Sequence, residues 1–295
     1  MHKFLRAIGF SNIKDKKEPH ELITDSIQNA DTRSYVTKDS EYITAEFCRD
    51  FADGVGLSIC GEFDQEDKFT YDYYYPYLKG TNVSSSADIT VERHAAEESY
   101  AGVCDEIRVG VTLIFYLQNM IPYLKAVNED KFPIKGTTLT LAALSIKGKI
   151  MMPIAKSDED IQIAKRKTIQ RNKLIYKAKN GDESAIEDLT LEDMDMYTTI
   201  SKKIKYSDVY SLVDSYFMPY GVECDQYSVL GEIVDVKKTK NKITGDNLVI
   251  MGISCNEIQF DVCINEKDLL GEPAVGRRFK GNIWMQGQIN YPDSI

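Results

Sequence analysis

The chain has 295 residues, a length that suits two domains or three small ones at about 100–200 residues per domain. With 43% hydrophobic and 28% charged residues, 18 Gly and 8 Pro, it is not collagen-like, low-complexity or wholly disordered. Lys and Arg number 36 against 46 Asp and Glu, and the resulting charge of −10 repels phosphate backbones on average while leaving room for a local basic face.

Residues 1–10 (MHKFLRAIGF) carry charge but no run of 7–15 apolar residues, so they do not read as a signal peptide. The longest apolar stretch, 109–117, is broken by Gly110 and Thr112 and falls short of the roughly 20 residues a membrane helix needs. A cytoplasmic location without membrane contact is expected. Six cysteines without a Cys-x-x-Cys pair read as reduced core residues.

The first thirty residues predict two short helices, the second over 18–30 with Leu22, Ile23 and Ile27 on one face. From Ser34 to Ile154 the period becomes two, in segments such as 42–47, 56–60, 69–71, 88–92, 107–117, 137–146 and 149–154, separated by turn residues such as Asp53-Gly54. An antiparallel meander covered on one face by the amino-terminal helices follows from that pattern. Ser157-Asp158-Glu159-Asp160 opens a helix that Asn180-Gly181-Asp182 closes. A second helix runs over 183–205 with a break near Thr190, and a third short one starts at Ser207 and ends before Pro219. After Pro219-Tyr220-Gly221 four or five short strands within about seventy residues fit a small five-stranded barrel of the oligonucleotide/oligosaccharide-binding (OB) type. The expected fold is α+β in three parts: a helix-covered antiparallel sheet (1–155), a charged helical hairpin (156–218) and an OB-like barrel (219–295).

Met1 to Phe10, Phe217 to Gly231 (FMPYGVECDQYSVLG) and Gly271 to Gly287 (GEPAVGRRFKGNIWMQG) resemble an uncharacterised bacterial family known as a domain of unknown function, over nearly the whole chain. The resemblance implies a cytosolic bacterial protein and transfers no catalytic residue, cofactor or substrate.

Three histidines, His2, His20 and His94, nearly exclude a His-rich metal site. Glu92, His94, Glu97 and Glu98, with Cys104 nearby, form the one local cluster that could serve a metal or acid–base chemistry; a solvated strand end explains them better. No phosphate-binding glycine loop, His-Glu-x-x-His or Gly-x-Ser-x-Gly occurs, and no metal or cofactor is expected. Tyr71, Tyr73, Tyr75 and Tyr77 fall on one face of a strand, where they contact a ligand or partner or cap the core. Residues 165–179 hold seven basic residues and no acid, among them Lys165, Arg166, Lys167, Arg171 and Lys173. They pair with the acids of the next helix, or alternatively bind RNA phosphates. Arg277, Arg278 and Lys280 flank Phe279 and the single Trp284, and are candidates to bind an acid, a phosphate or the preceding helical segment. The leading expectation is a non-enzymatic binding or assembly protein whose partner is a protein or itself. RNA or ribosome association through the barrel and the basic helix is the alternative, and an enzyme with a carboxylate site is the third reading.

Overall fold

A computed structural model describes residues 2–11, 18–37, 42–93, 99–106, 108–109, 112–131, 134–154, 158–204 and 213–292. In chain order a short 3-10 helix (Lys3–Ile8) precedes α1 (Glu18–Gln28), β1 (Thr32–Thr37), β2 (Ile43–Ala52), β3 (Val55–Phe63), β4 (Phe69–Leu78), β5 (Val83–Ser85), β6 (Ile89–Arg93), β7 (Tyr100–Cys104) and β8 (Leu113–Leu117). There follow α2 (Met120–Asn128), β9 (Thr138–Met151), α3 (Asp158–Lys179), α4 (Glu183–Ile204), β10 (Tyr216–Pro219), β11 (Gln226–Lys240), β12 (Asn247–Cys255), β13 (Ile258–Asn265), β14 (Leu269–Leu270) and β15 (Arg278–Asn290). The fold is mixed α and β, about half strand and 23% helix.

β1 to β4 form an antiparallel meander in sequence order. α1 lies against β2 and β3, and α2 against β1 and β2. The second sheet runs β10-β11-β12-β13-β9-β15-β8-β7-β6, and β11 also pairs β15. That extra pairing closes β11, β12, β13, β9 and β15 into a five-stranded barrel. Within it β9 runs parallel to β13 and antiparallel to β15.

The sequence pattern predicts the barrel from the carboxyl-terminal segment alone, whereas one of its five strands, β9, comes from before the helical hairpin. The apolar alternation of 138–146 is satisfied equally by a meander or a barrel wall, and only the choice of neighbour separates the two. The two predicted segments 137–146 and 149–154 are one continuous strand through Gly148. α4 passes Thr190 without a break, because the Thr190 hydroxyl donates to the Ile186 carbonyl within the helix. Residues 216–218 of the expected third helix belong to strand β10; its start, 207–212, lies outside the described residues.

One core fills the barrel, with Val229, Ile233, Met251, Phe260, Val262, Phe279 and Met285 buried inside. A second lies between the outer wall of the barrel and the four-stranded sheet, where Leu144, Leu248, Cys263 and Trp284 meet Phe4, Ile8, Phe51 and Leu57. The 3-10 helix sits directly on β9 and β13. Gly9 ends it at φ 101, a left-handed conformation that spares a Cβ penalty only for glycine, with the Asn241 side chain against it. Asn241 donates to the Ile8 carbonyl at 2.7 Å and so ties the amino-terminal segment to the β11–β12 turn.

Candidate functional site

Asp72 is an extra residue in β4. Tyr71 stands opposite Gly61 and Tyr73 opposite Cys60, so the strand bulges between them. Side chains alternate across a strand, and the bulge therefore moves Tyr71 to the face opposite Tyr73, Tyr75 and Tyr77. The expectation of four phenols on one face is corrected by that single residue. Tyr71 is exposed beside His20 of α1, with ring centroids 6.4 Å apart. The Tyr73 hydroxyl, half-buried, reaches Met120 Sδ of α2 at 3.3 Å. Tyr75 and Tyr77 are buried to 4% exposure each, because this face of the sheet is turned toward the rest of the molecule. Tyr77 donates to Asp50, which also pairs with Lys79 at 3.1 Å.

Glu46 lies opposite Cys60 in β2 and is 6% exposed. Its Oε1 accepts from Ser58 Oγ at 2.6 Å and from the Tyr75 hydroxyl at 2.8 Å, which also lies 3.0 Å from the Gln118 carbonyl. Burial raises the Glu46 carboxyl above the usual carboxylate range, against the opposing pull of the bonds from Ser58, Tyr75 and Cys48. Burial likewise pushes the Cys48 thiol up to about 12 and the Cys60 thiol well above its usual value. These thiols stay protonated at neutral pH and are poor nucleophiles. Over this layer opens a small cleft, lined among others by Cys60, Tyr73, Arg93, Tyr100, Met120 and Leu124.

The raised Glu46 value carries a sign. The folded state holds this proton more tightly than the unfolded one, so the stabilisation is complete below the ordinary value of 4.5 and declines as pH rises through the raised one. Glu46→Gln keeps an acceptor for Ser58 and Tyr75 without a charge to bury. Its melting temperature is expected to match the parent's near pH 4 and exceed it at pH 8; an equal offset at both pH values would refute the assignment.

α3 and α4 pack against each other, joined by residues 180–182, and make no substantial contact with any other described element. Asp182 caps the start of α4, accepting from the Ser184 and Ala185 amides at 3.1 and 3.3 Å. Of the basic residues picked out by sequence, Arg171 pairs with Glu192 at 3.4 Å, while Arg166, Lys167 and Lys173 are exposed and make no ion pair with a described residue. Lys165 lies on α3, and its side chain is outside the described part.

Arg278, at the start of β15, is buried. Its Nε donates to the Met152 carbonyl at 3.0 Å and Nη1 to the Val213 carbonyl at 2.9 Å. Those carbonyls belong to the two chain segments that leave the barrel for the hairpin and return from it, so one guanidinium holds both stems. Arg277 is half-exposed and donates to the Glu272 carbonyl at 2.7 Å; Lys280 is half-buried. Arg278→Ala is expected to speed limited proteolysis of the segments flanking α3 and α4 severalfold while leaving the barrel resistant. Unchanged cleavage there would remove this role.

A family model described as "Domain of unknown function, E. rectale Gene description (DUF3881)" matches residues 5–287. The chain belongs to this family. No curated protein and no solved structure matches it. The DUF3881 match spans both the four-stranded sheet and the barrel, in keeping with a core that joins them.

Among the described residues no group of three or more His, Cys, Asp or Glu is placed to hold a metal ion. Glu92 is exposed on β6 and Cys104 is buried on β7, while His94, Glu97 and Glu98 lie outside the described residues. Cys224 is exposed in the β10–β11 connection, a correction to its reading as a core residue: it falls in a polar turn, with no strand to turn it inward. No described helix is long and apolar enough to cross a membrane. Sequence reasoning passed over α2 and Glu46. α2 carries Pro122 in its first turn and follows directly on a strand, and a lone Glu in an alternating segment reads as a solvent-facing position.

Proposed function

We propose that this DUF3881 protein is a non-enzymatic binding or assembly protein, a barrel-and-sheet body that presents the α3–α4 hairpin to a protein partner from a cytosolic location. The observation that carries the reading is the hairpin itself: two 22-residue helices outside both cores, anchored at both stems by Arg278, with large apolar side chains in solvent. Exposed apolar surface on an element outside the cores is what partner binding uses. The cleft adds no activated thiol to this picture, since burial holds Cys60 protonated, and the nearby buried Glu46 carboxyl is shifted toward its neutral form.

The three-part division 1–155, 156–218 and 219–295 serves as the working description, with β9 lent by the first part to the barrel. α1 along β2 and β3 supports the helix-covered sheet. An OB-type barrel is supported by the ring itself: starting at β11 and counting β9 last, each strand has the neighbours and direction of an OB strand. The permuted strand is held beside its expected chain neighbour, Asn290 Nδ2 reaching Thr138 Oγ1 at 3.1 Å.

The RNA reading draws on the exposed cations of α3. Against it stands the outer β12–β13 wall, the surface by which OB barrels hold oligonucleotides, because Leu248 and Cys263 are covered here by the amino-terminal segment. Native mass spectrometry of protein purified without nuclease tests the choice. Protein-only complexes that are lost on Tyr176→Ser with Leu191→Ser are expected. Bound RNA that leaves at high salt would replace this function with nucleic-acid binding, and a bound small molecule would redirect it to the cleft.

A further inference from the structure

Resting on that reading and giving the partner its identity, we infer that the hairpin docks on the hairpin of a second copy of this chain, with both tips at the same end, so that α3 of each protomer faces α4 of the other and runs antiparallel to it. Charge is sorted between the two helices. Residues 165–179 carry seven basic residues and no acid, and 183–195 carry six acids and no base. Among the described side chains of one protomer this complementarity goes largely unused. Among described side chains only Arg171 and Glu192 pair across the hairpin, while Arg166, Lys167, Lys173 and Lys177 on α3 and Glu183, Glu187, Asp188 and Asp195 on α4 stand exposed without an ion pair to a described residue.

Apolar side chains lie among those charges. On α3, Ile169 and Tyr176 are one heptad apart on the same face as Lys173, and are 57% and 64% exposed. On α4, Ile186, Leu191 and Met194 span an arc of about 140° at 100° per residue, and are 49%, 61% and 62% exposed. A nucleic acid satisfies α3 and is repelled by α4, and an acidic or basic protein meets the same conflict. A second copy satisfies both helices in one geometry, because a two-fold axis repeats the α3–α4 contact with the same pairing of signs. Helices about 33 Å long and about 10 Å wide give a two-helix face of roughly 660 Å² per protomer, or about 1,300 Å² for the pair. That lies at the lower end of the range for stable interfaces, about 1,200–2,000 Å², and describes a reversible dimer.

Sedimentation velocity over a concentration series tests this with two charge-reversed variants. One carries Arg166→Glu and Lys173→Glu, both on the Ile169–Tyr176 side of α3, which cancels the net positive charge of that helix and leaves α4 acidic. The other carries Glu187→Lys and Asp195→Lys, which cancels the net negative charge of α4 and leaves α3 basic. The parent is expected to form a reversible dimer, each variant alone to associate at least tenfold more weakly, and an equimolar mixture of the two to recover the dimer. Tyr176→Ser with Leu191→Ser, which leaves the charges alone, is expected to weaken the dimer as well, and circular dichroism checks that helix content is kept in every variant. A parent that stays monomeric at all concentrations, or variants that fail to complement, overturns the second copy as partner. If such a monomer still forms protein-only complexes in the native mass spectrum, the assembly function stands without self-association; bound RNA overturns both.

Discussion

Phe279→Ala is expected to cost about 3–5 kcal/mol of unfolding free energy, the usual range for removing a fully buried aromatic ring. Phe279 is wholly buried inside the barrel, at the position where β9 and β15 present the facing pair Gly148 and Gly281. A Cβ at either glycine would collide with its ring, so the ring occupies the space both glycines leave. Truncation therefore opens a cavity that the neighbouring residues cannot fill, for the glycines have no side chain to move in. Against a total stability of about 5–15 kcal/mol this is a large fraction, readable as a lower urea midpoint. Gly148→Val should destabilise by overpacking the same spot from the other side. A loss below about 1 kcal/mol for Phe279→Ala would mean that the barrel is not closed around this ring.

Gln286→Leu is the second large effect, expected at about 2–6 kcal/mol from two stranded backbone groups at about 1–3 kcal/mol each. β4 is an edge strand, and edges present unpaired backbone groups. Gln286 of β15 is fully buried and covers that edge as a further strand would. Its Nε2 donates to the Pro76 carbonyl at 2.8 Å and its Oε1 accepts from the Leu78 amide at 3.2 Å. Gln118 completes the seam, donating to Gln286 Oε1 at 2.9 Å and to the Leu78 carbonyl at 2.8 Å. Leucine fills the volume but leaves Pro76 and Leu78 without these partners inside the protein. Since the seam joins the four-stranded sheet to the barrel, amide exchange in β4 should accelerate more than exchange in β12. Equal acceleration in both strands would show that the loss is not localised to this contact, and a double-mutant cycle with Gln118→Ala would measure the coupling within the pair.

Much of the local structure is written in the sequence. The period-two runs place β2, β3, β4, β12, β13 and β15, and the caps and turns around Asp158 and Gly181 place α3 and α4, because these signals depend on residues a few positions apart. The segregation of base to α3 and acid to α4 is equally plain from composition, and so is the family, on the segments near residues 1–10, 217–231 and 271–287. The tertiary structure decided what depends on distant neighbours. A run of alternating residues such as 138–146 states which side is apolar but not which strand lies beside it, so only the fold assigned β9 to the barrel wall. One extra residue, Asp72, separated Tyr71 from the other tyrosines, and packing against the barrel buried Tyr75 and Tyr77. Gln286, Glu46 and Arg278 look like surface residues in the chain. Their roles arise because a polar side chain can be buried only where distant backbone or hydroxyl groups meet its hydrogen-bonding demand, and those groups come together only in the folded protein.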